Sequence, residues 1–343
     1  MKNIILITDK KAGHENISKG IISEIKKHHN IDVIEVDAKL RFSFFKHILK
    51  LLINKSKFWY KKSWFIKLFY KQVNLPIKEK NFHLIISTGG TTSFLNIMLS
   101  LYFECPNIYC SSLRGLNNTF FSYIISIVSR SYQNEIVVDI APLSLNLEYD
   151  NIAALKQSYH LLSYKKTWVI LIGSSTKEYI FSKDDFNNML EQIIFLARKN
   201  NAELLITTSR RTTIEIEKLL LDIYHENKDV IKKMVLYNIK PEKVMMKYFT
   251  LADIIFCTED SGSMITEAIL SKKHIYTIRA YNANPQKVYK IFIEKLILNQ
   301  YIISIDIDYI SNITFQEPIK RIIHMPAEVV YKQIKIFFNT TKG

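Results

Sequence analysis

The stretch Asp253-Ile254-Ile255-Phe256-Cys257-Thr258-Glu259-Asp260-Ser261-Gly262-Ser263-Met264-Ile265-Thr266-Glu267-Ala268 decides the fold. Residues 253–257 read as a buried strand, the next few polar residues as a turn, and Gly262 onwards as a helix. A strand that runs through a short polar loop into a helix is the unit of a parallel α/β sheet. The chemistry of the loop is equally specific. Ser261, Gly262 and Ser263 place backbone N–H groups at a helix start, which suits phosphate oxygens. Glu267 follows four residues after Ser263, about one turn into the helix. A carboxylate there can accept both hydroxyls of a ribose. The plainer alternative is a capped helix with a solvated glutamate.

The same unit recurs on both sides. Towards the N-terminus, NIILIT at 3–8, DVIEV at 32–36, FHLIIS at 82–87, NIYC at 107–110 and EIVVD at 135–139 read as strands. After a polar stretch at about 143–165 the pattern restarts. TWVILI at 167–172, ELLIT at 203–207, MVLYN at 234–238 and HIYTI at 274–278 are further strands, with helices between them. YIISI at 301–305 reads as a strand that ends at Asp306-Ile307-Asp308, a D-x-D spacing with no glycine loop or helix start after it and no metal site. Two α/β domains are expected, bounded at 1–155 and 156–326, with residues 327–343 as a closing helix.

The chain has 343 residues, enough for two domains. Its 48% hydrophobic and 23% charged composition is globular. Three cysteines without a C-x-x-C pair exclude a disulfide framework and argue against structural zinc, and fit a reducing compartment. The N-terminal apolar run meets Asp9 too early for a signal peptide, and no stretch approaches the roughly 18 apolar residues of a spanning helix. A cytoplasmic protein without a transmembrane anchor is the expectation. The net charge of +15 attracts polyanions: nucleic acid, anionic lipid or a phosphorylated substrate.

Glycine is scarce, eight residues in all, so each is informative. Gly13, Gly89, Gly90, Gly173 and Gly262 all fall where strands are expected to end, the edge at which parallel sheets bind ligands. In Lys10-Lys11-Ala12-Gly13-His14-Glu15-Asn16, either His14 or Glu15 is placed to take a proton from a substrate hydroxyl; a glutamate serving only the helix dipole is the alternative. Thr88-Gly89-Gly90-Thr91-Thr92-Ser93 suits a hydroxylated or anionic ligand, or is a simple helix start. In Gly173-Ser174-Ser175-Thr176-Lys177 the lysine can neutralise a phosphate as a point charge. Thr208-Ser209-Arg210-Arg211-Thr212 adds two guanidiniums suited to phosphate or carboxylate. Neither a Walker loop nor G-x-G-x-x-G is present.

Residues 38–78 contain no acid, and within 39–71 ten cationic residues alternate with ten aromatics. That much apolar bulk is unusual for a solvated charge run. It fits an interfacial surface, with rings at the acyl boundary and lysines over anionic headgroups. A pair of core helices with a lysine-rich outer face is the alternative. A single-stranded nucleic-acid platform lacks any accompanying RRM, KH or zinc signature, and no nucleic-acid partner is expected.

Four of these motifs, in this order, resemble the mitochondrial-fission (elongated-mitochondria) family of glycosyltransferases: Asp9 to Asn16 for its D-x-K-x-G-H-E-N segment, Gly173 to Lys177, Thr208 to Thr212, and Thr258 to Ala268. The chain departs from the family in carrying Ser174 where a second glycine is frequent. It also has Leu113-Arg114 and Ile140-Ala141-Pro142 where Pro-Arg and His-Asp pairs are frequent.

The resemblance implies a GT-B architecture, two Rossmann-like parallel-sheet domains facing across a cleft. It implies an acceptor side in the N-terminal domain, here Lys11, Gly13, Asn16, Gly89, Gly90 and Thr91, with His14 or Glu15 catalytic. The implied donor side in the C-terminal domain is Gly173, Ser174, Lys177, Ser209, Arg210, Arg211, Glu259, Ser261, Gly262, Ser263 and Glu267. The last helix is expected to cross back to the N-terminal domain.

The expected activity is sugar transfer from a UDP- or CMP-linked donor to a lipid-linked or lipopolysaccharide-type acceptor. It would need no metal and no cofactor, and would take place peripherally on the inner face of a bacterial cytoplasmic membrane. A nucleotide-sugar epimerase and a non-catalytic membrane adaptor are the rival readings.

Overall fold

The computed structural model describes residues 1–55, 62–71, 81–145, 147, 151–315, 320, 322 and 324–339. The chain divides into two units, the first built from residues 1–144 and 324–343, the second from 145–323.

The first unit carries β1 (Lys2–Thr8), α1 (Ala12–His28), β2 (Ile31–Asp37), α2 (Phe45–Lys55), α3 (Ser63–Phe69), β3 (Leu84–Thr88), α4 (Thr92–Phe103), β4 (Asn107–Cys110), β5 (Tyr123–Ser126) and β6 (Glu135–Val137). All six strands are parallel, in the order β2-β1-β3-β4-β5-β6. Their continuous apolar runs reflect a sheet covered on both faces. One face packs Ile5, Ile85 and Tyr109 against Leu95, Met98 and the residues Phe65 and Phe69 of α3. The other packs Ile4, Leu6, Leu84 and Ile86 against Ile21 and Ile25 of α1.

The second unit carries α5 (Ile152–Ser158), β7 (Lys166–Ile172), α6 (Lys183–Lys199), β8 (Ala202–Thr208), α7 (Ile214–Glu226), β9 (Ile231–Val235), α8 (Met245–Leu251), β10 (Ile254–Thr258), α9 (Gly262–Leu270), β11 (His274–Arg279), α10 (Lys287–Leu298) and β12 (Ile303–Asp306). The strands are again all parallel, in the order β12-β11-β10-β7-β8-β9. That is the doubly wound Rossmann order, with a reversal between β7 and β10. Trp168, Phe186, Ile193, Leu204 and Phe256 centre its core. α6 begins with a reciprocal cap, the Ser182 hydroxyl accepting from the Asp185 N–H and the Asp185 carboxylate from the Ser182 N–H.

The chain then returns. α11 (Pro326–Ile334) and α12 (Ile336–Asn339) belong to the first unit. Val330, Ile334 and Phe338 join the α1 face of its core, and Tyr331 stacks on His28 at 4.2 Å. The expected boundary at 155/156 falls inside α5; that helix packs on α8, so the division lies at 144/145. β5 has no counterpart among the expected strands, because its run YIIS is only four residues long and no helix follows it. Asp306 closes β12 and Asp308 lies in the 3-10 turn that follows, as the strand-end reading required.

Gly20 in α1 is fixed by packing. A Cβ there would meet the backbone oxygen of Pro142 and lie 2.6 Å from the carbonyl carbon of Leu143. Backbone cannot step aside as a flexible side chain can. Gly20→Ala is therefore expected to cost about 1–3 kcal/mol of overpacking, measurable as a lowered denaturation midpoint, whereas Gly13→Ala, with open space around it, leaves the midpoint in place.

Candidate functional sites

Parallel strands open their C-terminal ends to ligands where neighbouring connections leave on opposite faces of the sheet. In the first unit that point lies between β1 and β3, and in the second between β7 and β10.

At the first point, α1 begins at Ala12 with Lys11 as an N-cap that provides no side-chain bond. The chain between strand and helix turns through Lys10, which has a left-handed φ of 61°. This brings His14 back over the end of the strand. Its Nδ1 lies 2.9 and 3.0 Å from the two oxygens of Asp9, whose side chain is almost wholly buried. An ionised carboxylate only accepts, so Nδ1–H donates, and Nε2 is the ring nitrogen left to exchange a proton. The carboxylate thereby orients the ring and stabilises the imidazolium that forms when Nε2 takes a proton.

Glu15 is placed differently. The Thr8 hydroxyl donates to Oε1 at 2.6 Å and the Lys19 ammonium to Oε2 at 3.1 Å. These bonds, Thr8 first, hold its carboxyl below the usual glutamate value. Both Glu15 oxygens are thus engaged and the group is a weak base, whereas the His14 ring is held only through Nδ1.

Lys11 is exposed, 3.6 Å from Asp9 Oδ2. Gly13 and Asn16 lie exposed in the first turn of α1, and no close approach explains Gly13. The Gly89-Gly90-Thr91 loop lies against this cluster. Gly89 has φ +102°, and a Cβ on it would strike the His14 ring. Thr91 precedes α4 without a side-chain cap, and its carbonyl accepts from the buried Tyr70 hydroxyl at 3.2 Å.

At the second point the donor-side residues separate into two groups. Glu259 is fully buried. Its carboxylate accepts from Tyr179 Oη at 3.0 Å, Arg279 Nε at 2.9 Å, Thr277 Oγ1 at 3.2 Å and Ser304 Oγ at 2.6 Å. These four side chains use every lone pair of the carboxylate, and the residue anchors the loop. Asp260, also buried, accepts at Oδ2 from the Ser174 N–H at 3.0 Å and from Arg211 at 2.9 Å. Burial raises its carboxyl above the usual aspartate value despite those partners. A Cβ on Gly173 would collide with this carboxylate. Gly173 and Arg211 thus serve Asp260. Ser174 is buried, its hydroxyl donating to the Ser175 carbonyl. Ser209 stabilises its own turn by accepting from the Arg211 N–H at 3.1 Å.

The second group remains open. Ser261 is the N-cap of α9 and supplies no side-chain bond, and among the described residues no other side chain caps the first-turn N–H groups of the helix. Ser263 is exposed, and so are Arg210 and Lys177. A Cβ on Gly262 would come within 2.9 Å of the Tyr289 ring. Glu267 lies one turn along α9, flanked by the buried Thr266 and Ala268, with no hydrogen-bond or ion-pair partner among the described residues. Burial alone pushes its carboxyl up to about 7.

The basic aromatic segment closes on itself. Leu40 and Tyr70 pair in an antiparallel bridge, and the Arg41 N–H donates to the Phe69 carbonyl at 2.9 Å. Leu49 and Ile53 of α2 and Phe65, Ile66 and Phe69 of α3 face inward. Phe42, Phe44, Leu51, Trp64 and Leu68 are each more than half exposed among Arg41, Lys46, Lys62 and Lys67. The other expected elements of this surface, Lys57, Phe58, Trp59, Tyr60 and Lys61, lie outside the described residues. Among the described residues no helix is long and apolar enough to cross a membrane, and no group of three or more His, Cys, Asp or Glu side chains is placed to hold a metal ion.

Asp9, the partner of His14, is not among the site candidates the sequence offers. Its signal was present in the D-x-K-x-G-H spacing, but only the turn at Lys10 makes the two side chains meet. The Tyr179–Arg279–Ser304 network around Glu259 had no local signal.

The chain is similar in fold to the UDP-GlcNAc 2-epimerase of Methanocaldococcus jannaschii, with 15% identity and a TM-score of 0.58 over 99% of this chain and 100% of that one. The ADP-heptose lipopolysaccharide heptosyltransferase II of E. coli matches with 11% identity and a TM-score of 0.49 over 98% of each chain. A glycosyltransferase from Rickettsia africae ESF-5 matches with 12% identity and a TM-score of 0.49, covering 98% of this chain and 88% of that one. No curated protein matches the sequence. The architecture is GT-B, two parallel-sheet Rossmann-like units. The family model described as Mitochondrial fission ELM1 matches residues 142–324, more than half of the chain, and the protein belongs to that family.

Proposed function

We propose that the protein is a glycosyltransferase that moves a sugar from a nucleotide-activated donor to a hydroxyl of a lipid-linked or lipopolysaccharide-type acceptor. The observation that carries this reading is Glu267, an unpartnered carboxylate one turn beyond the open N-terminus of α9. The helix start suits the donor's phosphates and the carboxylate its ribose hydroxyls. Arg210 and Lys177, both exposed, supply positive charge to the phosphate side.

In the reaction, His14 Nε2 takes the proton of the acceptor hydroxyl as its oxygen attacks the anomeric carbon. The bond from that carbon to the donor phosphate breaks, and its electron pair leaves with the nucleotide. The α9 N–H groups and cationic side chains stabilise the charge that develops there, so the chemistry needs no metal. Asp9 holds the resulting imidazolium. On this reading the first unit takes the acceptor and the second the donor, a UDP or CMP sugar.

The exposed rings and cations of α2, α3 and the turn before them support docking on the anionic inner face of the cytoplasmic membrane. Each lysine near such a surface contributes about 1 kcal/mol.

A panel of UDP, CMP, GDP, ADP and their sugars tests the donor site by thermal unfolding. A ligand at about 100 times its dissociation constant adds about 2.7 kcal/mol, a rise of a few degrees. One nucleotide is expected to stabilise the native protein and not Glu267→Ala. A flat response from every nucleotide overturns the donor site and favours an adaptor. Conversion of the nucleotide sugar to its epimer without acceptor assigns an epimerase.

The pH dependence is a separate check. Because the Glu267 carboxyl lies at about 7 in the folded protein against an ordinary 4.5, the folded state keeps a proton that the unfolded chain releases. Its stabilising contribution is complete below about pH 4.5 and declines as the pH rises towards 7. Glu267→Gln, neutral throughout, is expected to flatten that decline in denaturation midpoints on either side of the window, while abolishing the nucleotide response.

Membrane docking is read by co-sedimentation. The protein is expected to pellet with vesicles containing phosphatidylglycerol and not with neutral ones. The double variant Leu51→Asp/Trp64→Asp is expected to stay in solution while retaining its nucleotide response.

A further inference from the structure

Three glycines at the C-terminal edge of the first sheet share an unusual feature. In each, the place of a Cβ is taken by a basic side chain from elsewhere. The His14 ring occupies it at Gly89. At Gly90 the Arg114 guanidinium does so, with Cζ and Nη1 2.8 Å from the Cβ position. At Gly115 it is the Lys50 ammonium, 2.5 Å away.

The support beneath these groups is specific. Arg114 and Gly115 are consecutive left-handed residues, φ 50° and 87°. Asn54 of α2 donates to the Gly115 carbonyl at 2.9 Å and accepts from the Asn117 N–H at 3.3 Å, which ties Lys50's helix to this loop. The carboxylates at this edge are already committed: Asp9 to His14 and Lys11, Glu15 to Lys19, and Asp37 to Lys10 at 2.9 Å. Among the described residues, neither Arg114 nor Lys50 has an acidic partner.

We infer that Arg114 and Lys50 form a phosphate subsite beside the Asp9–His14 pair, and that the acceptor hydroxyl belongs to a phosphate-bearing molecule. The inference rests on reading the first unit as the acceptor side. A planar guanidinium takes two oxygens of a phosphate, and an ammonium adds a point charge on a third. The adjacent Gly89 and Gly90 leave the volume into which the imidazole and the guanidinium each fit. A phosphate held there would fix the acceptor while His14 Nε2 reaches a neighbouring hydroxyl.

The test is the rate at which phenylglyoxal modifies each arginine of the full-length protein, read by peptide mass spectrometry. Pyrophosphate is expected to protect Arg114, about ten-fold at ten times its dissociation constant, where chloride at equal ionic strength does not. Lys50→Ala is expected to weaken the protection. Gly90→Ala, whose methyl displaces only the end of a flexible side chain, is expected to abolish it without moving the unfolding midpoint. Arg210 is read in the same digest. Protection of Arg210 alone overturns the subsite and leaves the donor site standing; protection of Arg114 alone does the reverse. Protection of Arg114 by soluble pyrophosphate points to a phosphate ester of the acceptor. Protection seen only with vesicles containing phosphatidic acid points to a lipid headgroup as the phosphate's source. Equal modification rates under all these conditions overturn the inference.

Discussion

Two parallel sheets impose one constraint from which the chemistry follows. Where the strand order reverses, the connections on either side leave on opposite faces, and the gap between them is left uncovered. In the first unit that gap lies between β1 and β3 and holds the Asp9–His14 pair against Gly89. In the second it lies between β7 and β10 and holds Asp260 against Gly173, with the start of α9 alongside. Both rely on a glycine for the same reason: a side chain from the neighbouring connection needs the volume a Cβ would fill.

The two gaps are otherwise built differently. In the first, the buried carboxylate pairs with a titratable ring, which suits proton transfer. In the second, Glu259 is fully engaged by four side-chain donors and Asp260 is engaged at Oδ2 by Ser174 and Arg211, while Glu267 has no partner among the described residues. The difference between the engaged Glu259 and the unengaged Glu267, eight residues apart in one motif, separates scaffold from candidate ligand.

Much of the fold was legible in the sequence because buried parallel strands are continuous apolar runs. NIILIT, TWVILI and DIIFC could be placed to within a residue or two. The exceptions were β5, too short to stand out, and β9, expected at 234–238 and found at Ile231–Val235 because its polar start IKK hides the strand. Glycines marked the ligand edge because so few are present. What the sequence could not show is direction. Glu259 and Glu267 occupy the same motif, yet one side chain turns into the core and the other stays available, a choice made by Tyr179, Arg279 and Ser304 from distant positions. Lys50 reaches Gly115, 65 residues on, only because α2 packs beside the Arg114–Gly115 loop. The C-terminal helices likewise return to the first unit because Val330 and Ile334 complete the face that α1 leaves apolar.

The Glu259 hub carries a thermodynamic consequence. Its carboxylate joins the loop after β10 to Tyr179, to Thr277 and Arg279 on β11 and to Ser304 on β12, and its carbonyl accepts from Tyr289 on α10 at 2.6 Å. Freeing the loop would break all four side-chain hydrogen bonds of this carboxylate at once. The loop therefore has no cheap local opening, and the start of α9 is held in place before any ligand arrives. The ordering entropy that a mobile anion-binding loop would surrender on association has already been given up during folding. Rearrangement of this unit is then restricted to movement of the sheet edge and its helices as one block.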